Sequence, residues 1–153
     1  KNWQRALELF EGFGRRGLRA DAFSFSAVLG AYGRSADWRS AVRLLEQMVE
    51  EAVQGNVIHF SVCISACQKG QEWRAALALL EDMAQAHVEG NMISCSSAIS
   101  ACGGCGEWQS ALALLVECES RNLSPNEVAY SAGITACEKG SQWQRALTLL
   151  SDA

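Results

Sequence analysis

The sequence of 153 residues contains one proline, two histidines and no excess of basic residues. No uninterrupted apolar run approaches the roughly 18 residues that a membrane-spanning helix needs, so we exclude a transmembrane segment and a membrane partner. No basic leader followed by an apolar stretch is visible, so no secretory signal is expected. The 13 Lys and Arg are outnumbered by 17 Asp and Glu, giving a net charge of −4. This balance counts against non-specific binding of polyanions, which relies on many phosphate contacts.

A disulfide framework is also missing. The seven cysteines are odd in number, and only Cys67, Cys102 and Cys137 share a spacing, which is 35 residues. A chain held by disulfides would be small and rich in loops, whereas this one has helical patterns and almost no proline. We therefore expect reduced thiols that serve as small core residues, which implies a reducing intracellular compartment.

Catalytic and metal-binding constellations are absent as well. Cys102 and Cys105 have the spacing of half a zinc site, but no second Cys or His pair follows, so we interpret this segment as a flexible turn within a repeat. His59 and His87 occupy unrelated places, whereas a repeated chemistry would reuse one place. No glycine-rich phosphate loop, no nucleophile–base set and no deaminase-like signature occurs. We expect no metal, no cofactor and no enzymatic activity.

What the sequence does contain is a strict internal period. The stretch SACQKGQEW at 65–73 returns as SACGGCGEW at 100–108 and as TACEKGSQW at 135–143. Self-similarity at a fixed period of about 20 to 50 residues indicates a stacked repeat array. Without insertion or deletion, the interval of 35 residues links Trp3, Trp38, Trp73, Trp108 and Trp143; Ala6, Ala41, Ala76, Ala111 and Ala146; and Leu9, Leu44, Leu79, Leu114 and Leu149.

Each unit contains two segments with the apolar period of a helix. One stripe runs from Phe60 to Cys67 and a second from Trp73 to Met83, with apolar residues three and four apart. Gly70, between them, is suited to a helix C-cap. One hairpin cannot bury both stripes, so the next copy must cover the remaining side. The pattern predicts an all-α solenoid of 35-residue helix-turn-helix repeats, and nothing indicates a strand.

In units of 35 residues, the chain resembles a pentatricopeptide repeat array. The unit VIHFSVCISACQKGQEWRAALALLEDMAQAHVEGN has the family's aromatic fourth place, small polar fifth place and apolar seventh and eighth places. Tetratricopeptide repeats, with about 34 residues, are the competing family. Two departures are the Trp in each second helix, where the family has an aliphatic residue, and a late glycine that survives only as Gly17.

The resemblance covers the whole chain and implies a right-handed superhelical solenoid. It gives full repeats at 22–56, 57–91 and 92–126 and partial repeats at 1–21 and 127–153. Because both ends would expose an uncapped apolar face, we expect a window from a longer array that is flanked by further repeats of the same chain.

The resemblance also implies that the array binds single-stranded RNA, with about one base per repeat. In the family, the fifth and last places address the base edge, the second place packs against the base, and the thirteenth faces the phosphate. For the base edge these places hold Ser26, Asn56, Ser61, Asn91, Ser96, Asn126 and Ser131, with Asp21 as a further last place; for stacking, Phe23, Ile58, Ile93 and Val128; and for phosphate, Arg34, Lys69 and Lys139, with Gly104 as the exception.

The pairing of Ser with Asn corresponds, in the family's recognition pattern, to adenine. A hydroxyl and an amide together match the donor and acceptor edge of this base, so the resemblance implies a preference for an A-A-A run. Each residue also has a structural interpretation: the asparagines suit helix N-caps, the apolar residues suit contacts with a neighbouring repeat, and the basic residues suit a solvated face. Periodicity alone leaves these alternatives open, and the resemblance favours RNA.

Two functional hypotheses follow. The first is an RNA-binding array that acts in organellar RNA processing, stability or translation, in a mitochondrion or plastid. The second is a scaffold that binds protein partners in a ribonucleoprotein, such as an organellar ribosome, without recognising bases, because a fold does not fix a function. A stacked base contributes about 1–3 kcal/mol, so the three full repeats alone should bind weakly.

Overall fold

The computed structural model describes residues 5, 8, 10, 12, 21–35 and 37–152. Between residues 22 and 152 it contains eight helices, and no described residue lies in a strand. They are α1 (Ala22–Ser35), α2 (Trp38–Glu50), α3 (Val57–Lys69), α4 (Trp73–Gln85), α5 (Met92–Cys105), α6 (Trp108–Ser120), α7 (Glu127–Lys139) and α8 (Trp143–Asp152). None of these described helices is both long and apolar enough to cross a membrane.

The predicted all-α solenoid is confirmed. The pairs α1–α2, α3–α4, α5–α6 and α7–α8 fall inside the predicted repeats that start at residues 22, 57, 92 and 127. The boundaries between repeats stay a prediction. The partial repeat at 1–21, with Trp3, Ala6, Leu9 and Gly17, lies almost entirely outside the described residues.

The helices form two layers. The first helices α1, α3, α5 and α7 pack side by side in chain order. Each second helix packs against its own first helix, and α2, α4 and α6 also pack against the next one. Among the described residues, no two second helices contact each other. Because the first helices are in contact while the second helices are splayed, the array curves with α1, α3, α5 and α7 on its concave side. We call the solvent-facing surface of these four helices the inner face.

The core lies between the layers and follows the sequence period. Ala41, Ala76 and Ala111 are fully buried, which allows close approach of each second helix to its neighbours. The tryptophans that begin α2, α4 and α6 are half-buried and pack against the same core. All seven cysteines are free, and all except Cys105 are buried, in agreement with their predicted use as small core residues.

The turns contain left-handed residues at two recurring places. Gln71, Gly106 and Ser141 have positive φ after a first helix, and Ala52, His87 and Asn122 have positive φ after a second helix. Gly70 is the C-cap of α3, as predicted, but its φ of −78° is right-handed. The left-handed residue of this turn is Gln71, so the need for glycine at position 70 comes from packing.

The interpretation of Cys102–Cys105 as a flexible turn is wrong. Both cysteines lie in α5, which ends at Cys105, and the exposed Cys105 donates its thiol proton to the carbonyl of Gln71 at 3.1 Å. A Cβ at Gly103 would lie 2.6 Å from the carbonyl oxygen of Ala132, so this glycine permits the close contact of α5 with α7. No cluster of three or more metal-ligating side chains occurs in the described part of the chain.

Candidate functional site

A row of large apolar side chains lies exposed on the inner face. Phe23 is 82% exposed, Ile58 61%, Ile93 62% and Val128 56%, and each is the second residue of its helix. These are the four residues predicted to stack against bases. Exposed apolar area is unfavourable at about 25 cal/mol per Å², so repeated exposure at one place makes this row a candidate contact surface.

The three predicted asparagines are helix N-caps. The Oδ1 of Asn56 accepts hydrogen bonds from the backbone N–H groups of Ile58 (3.0 Å) and His59 (3.3 Å). The Oδ1 of Asn91 accepts from Ser94 at 2.9 Å, and that of Asn126 accepts from Ala129 at 3.0 Å. The structural interpretation is therefore confirmed. Helix capping does not use the amide nitrogens of these asparagines, which donate to no described residue and remain available to a ligand.

Asp21 has the same capping geometry at the start of α1. Its Oδ1 accepts from the hydroxyl of Ser24 at 2.7 Å and from the backbone N–H of Ser24 at 2.8 Å. These hydrogen bonds lower the pKa of the Asp21 carboxyl, the hydroxyl making the larger contribution. An ionised Asp21 offers only acceptors, so the base-edge place before α1 differs chemically from the three asparagines.

The predicted serines differ in their surroundings. Ser61 and Ser96 are only 7% and 8% exposed, whereas Ser26 is half-buried and Ser131 is exposed. The hydroxyl of Ser61 donates to Oδ1 of Asn91 at 3.4 Å, so two predicted base-edge groups of one repeat meet. The hydroxyl of Ser96 donates to the backbone carbonyl of Ile93, in the same helix, at 3.3 Å. Both distances are long for hydroxyl donors, so these hydrogen bonds are weak. A ligand can therefore compete with them for the hydroxyl groups of Ser61 and Ser96.

One cleft brings the predicted residues together. It has a volume of about 390 Å³ and lies between α1, α3 and α5. This volume is within the range of small-ligand sites. The cleft is lined by apolar, hydroxyl, amide and basic groups from two consecutive predicted repeats and the start of a third: Gly30, Gly33, Arg34, Ile58, Ser61, Val62, Ser65, Lys69, Asn91 and Ile93. A second cleft, beside α7, is lined by Val128 and Ser131 together with Glu127.

The predicted phosphate-binding lysines already have partners. The ammonium group of Lys69 donates to the carbonyl of Gly33 at 2.6 Å, and that of Lys139 donates to Gly104 at 2.7 Å. Each lysine thus binds a carbonyl in the last turn of the preceding first helix, where a cation is favourable. No pattern in the sequence indicates these contacts, because lysine and carbonyl are about one repeat apart. Arg34 is exposed at the rim of the first cleft.

Charge is distributed unequally between the two layers. The first helices α1, α3 and α5 contain no Asp or Glu, and acidic residues of the inner layer are confined to α7 as Glu127 and Glu138. The second helices carry Glu46, Glu50, Glu81, Asp82, Glu117 and Glu119. An acidic chain can therefore present an inner face that does not repel an anionic ligand over most of its length.

Sequence reasoning missed His59. Its side chain is 1% exposed and lies between two predicted base-edge residues. Its Nδ1 accepts from the backbone N–H of Asn56 at 3.1 Å, and its Nε2 lies 2.7 Å from Oγ of Ser26 in the preceding first helix. The third place of the other described first helices holds Ser24, Ser94 or Ala129, so no periodic pattern identified the histidine.

Comparisons with known proteins were made for sequence and structure. A family model described as pentatricopeptide repeat-containing protein matches residues 4–114. A search of the curated proteins finds no match for this chain. The fold is similar to the crystal structure of the pentatricopeptide repeat protein PPR10 in complex with an 18-nt psaJ RNA element, with a TM-score of 0.76 and 23% identity over 94% of this chain and 24% of that chain.

Two further structures are similar. PPR10 from maize gives a TM-score of 0.68 and 24% identity, covering 98% of this chain and 26% of that chain. The PPR domain of Arabidopsis thaliana protein-only RNase P 1, in complex with tRNA, gives a TM-score of 0.82 and 15% identity. The match covers 99% of this chain and 81% of that chain. At these identities the similarity concerns the fold, and the chain spans about a quarter of the length of PPR10.

Proposed function

Because the chain belongs to the pentatricopeptide repeat family, we propose that its inner face binds single-stranded RNA, with about one base per repeat. The observation that carries this proposal is the exposed row of Phe23, Ile58, Ile93 and Val128, spaced by one repeat each. Bases are flat and apolar on both faces, so a row of separated apolar side chains suits a single strand whose bases enter between them. PPR10 and the RNase P 1 domain were crystallised with RNA, which supports the same ligand class here.

We further propose that the repeats at 22–56, 57–91 and 92–126 prefer adenine. Capping occupies the Oδ1 of Asn91, so this residue offers its Nδ2 donor to a base. A donor suits the unprotonated ring nitrogen on the pairing edge of adenine, and the hydroxyl of Ser61 can accept from the adenine amino group. Uracil presents a ring N–H at the corresponding position, which would oppose the Asn91 donor. The physiological role that we propose is organellar RNA processing, stability or translation, in a mitochondrion or plastid.

Binding by this chain alone is expected to be weak. A stacked base contributes about 1–3 kcal/mol, and ordering a flexible strand offsets part of this contribution. A titration followed by NMR suits such affinities, because fast exchange reports contacts residue by residue. We expect oligoadenylate to shift amide signals of α1, α3, α5 and α7, with oligouridylate binding several-fold more weakly.

The deciding variant is Asn91→Asp, because Asp caps a helix as well as Asn does but has no donor. We expect unchanged thermal stability and a two- to tenfold loss of adenine preference, the value of about one hydrogen bond. Asn56→Asp provides the same test one repeat earlier. Tighter binding of uridylate than adenylate would overturn the base assignment. Absence of binding to any RNA would overturn the proposed function and favour the scaffold that binds a protein partner.

A further inference from the structure

His59, in the repeat at 57–91, contacts both base-edge residues of the preceding repeat, Ser26 and Asn56. It is the third residue of α3, and its Nδ1 accepts from the backbone N–H of Asn56, which completes a capping box. A backbone N–H can only donate, so Nδ1 carries no proton and the neutral ring carries its proton on Nε2. The Nε2–H group therefore donates to Oγ of Ser26 at 2.7 Å, with the carbonyl of Ala22 also near, at 3.3 Å.

The His59 donor and the Ala22 carbonyl together fix the hydrogen-bonding polarity of Ser26. The Ser26 hydroxyl donates its one proton to the carbonyl of Ala22 at 2.8 Å, and one of its two lone pairs accepts from His59. A single lone pair is left for a ligand. Ser26 can thus accept from a base and can donate to it only by breaking its contact with Ala22.

The later repeats lack this arrangement. At the place of His59, α5 has Ser94, which completes the capping box of Asn91 without extending to Ser61. Within the described part of the chain, the hydroxyl of Ser61 makes only its 3.4 Å contact with Asn91, so its proton can turn toward a base acceptor. In α7 the same place is Ala129, which has no polar side chain.

We propose that His59 is a positioning residue: by donating to Ser26 it strengthens the hydrogen bond from Ser26 to Ala22 and so holds Ser26 as an acceptor. The repeat at 22–56 therefore selects bases with an exocyclic amino group more sharply than the repeat at 57–91. This inference rests on the proposed RNA binding. The amino groups of adenine and cytosine donate to the remaining lone pair of Ser26, whereas the carbonyl groups of uracil and hypoxanthine oppose it. At Ser61, rotation of the hydroxyl relieves the same mismatch.

The test compares adenine with hypoxanthine, which replaces the amino group by a carbonyl and carries a proton on N1. Because the N1 change faces an asparagine amide in both repeats, Asn56 or Asn91, the difference between the two penalties reports on the serine hydroxyls. Tetranucleotides with a single inosine among adenosines are titrated into the whole chain, and residue-specific amide shifts report which repeat each base contacts. In the wild type we expect an inosine penalty of about tenfold at the repeat with Ser26 and about threefold at the repeat with Ser61.

His59→Ser is the matched variant, because Ser94 shows that serine sustains the capping box at this place. It should lower the penalty at the first position to about threefold and leave the second position unchanged. Equal penalties at both positions in the wild type, or an identical profile in His59→Ser, would overturn the proposal. A uniform loss of affinity at every position would also overturn it, since that result indicates a purely structural role.

A measurement without RNA separates the two proposals. The ¹⁵N shifts of the His59 ring report which nitrogen is protonated, and we expect the Nε2–H tautomer. The Nδ1–H tautomer would overturn the inference whether or not RNA binds. If no RNA binds while the Nε2–H tautomer is observed, the proposed function and the base selectivity of Ser26 both fail, and only the hydrogen-bond assignment stands.

Discussion

Gly70 lies directly against the indole ring of Trp38. A Cβ at Gly70 would be 2.7 Å from Cδ1 and 3.3 Å from Nε1 of this tryptophan. Trp38 begins α2 and Gly70 is the C-cap of α3, so the contact joins one helix pair to the next. The same relationship recurs between Trp108 and Gly140. The tryptophan that departs from the family pattern is thus matched to a glycine one repeat further along the chain.

Gly70→Ala should destabilise the chain. The backbone at Gly70 is right-handed and accepts alanine, so the cost arises from overlap with Trp38, and we expect a loss of about 1–3 kcal/mol in the free energy of unfolding. Urea denaturation measures it. Gly104→Ala is the control, because a Cβ there meets nothing within 4 Å, and it should be neutral or stabilising by up to about 1 kcal/mol.

Combination with Trp38→Leu tests the cause. Leucine corresponds to the aliphatic residue of the family pattern and is smaller than the indole, so Gly70→Ala should cost almost nothing in that background. A coupling energy of about 1 kcal/mol or more is expected from the double-mutant cycle. Additive effects of the two substitutions would refute the contact as the reason for the glycine.

Ala52→Gly should stabilise the chain. Ala52 has a φ of 57°, and a residue with a Cβ loses about 1–2 kcal/mol in this conformation. This is the late place of the repeat where the family commonly has glycine. The control is Ala78→Gly, in the exposed middle of α4, which should instead destabilise by about 1 kcal/mol. In thermal denaturation we expect a higher melting temperature for Ala52→Gly and a lower one for Ala78→Gly. Destabilisation by both substitutions would contradict the backbone strain assigned to Ala52.

The fold was predictable because period and apolar spacing impose it. Trp38, Trp73 and Trp108 begin three second helices, and the equally spaced Ala41, Ala76 and Ala111 are fully buried. The exposure of Phe23, Ile58, Ile93 and Val128 is shared by all four copies, as their single place in the repeat suggests, but the period alone also allowed contacts with a neighbouring repeat. The residue pattern within one repeat was therefore sufficient to predict the structural features that all repeats share.

Contacts between copies were not predictable. The bonds from Lys69 to Gly33 and from His59 to Ser26 join residues 36 and 33 positions apart, and no spacing rule for one helix includes them. Likewise, Cys102–Cys105 resembled a turn because glycines usually interrupt helices, whereas packing against α7 requires glycine at position 103. Tertiary contact determined these features rather than local propensity.

Lys69→Gln should lower the salt dependence of RNA binding. Each phosphate contact with a single strand adds about 0.7 to the slope of log affinity against log salt, so the slope should fall by about 0.7. Titrations at several salt concentrations measure it. Arg74→Gln is the control, because this guanidinium lies 4.5 Å from the ring centroid of Trp73 on a second helix and should leave the slope unchanged.

The contact of Lys69 with Gly33 gives the alternative outcome. If the lysine only binds that carbonyl, Lys69→Gln lowers the melting temperature and leaves the salt slope as it was. A parallel melting experiment on the free protein therefore distinguishes a phosphate ligand from a structural cation. An unchanged slope would remove Lys69 from the proposed RNA site.

The buried thiols should make the chain sensitive to alkali. Burial, with a smaller contribution from neighbouring Cys67, raises the pKa of Cys63 to about 12, and burial raises the pKa of Cys67 and Cys102 to about 11. An unfolded cysteine has a pKa of about 8.5. The folded chain thus holds these protons more tightly, and this stabilisation is complete below pH ~8.5 and is lost progressively as pH rises through the folded pKa values.

We expect the free energy of unfolding to decline above about pH 9, with a slope of up to about 1.4 kcal/mol per pH unit for each of these three thiols. Urea denaturation under reducing conditions across this range measures the slope. Cys63→Ala removes one of these protons, so its slope near pH 10 should be shallower by up to the same amount, whatever stability it loses at pH 7. Parallel pH profiles for Cys63→Ala and the wild type would show that the Cys63 thiol does not hold its proton more tightly in the folded chain.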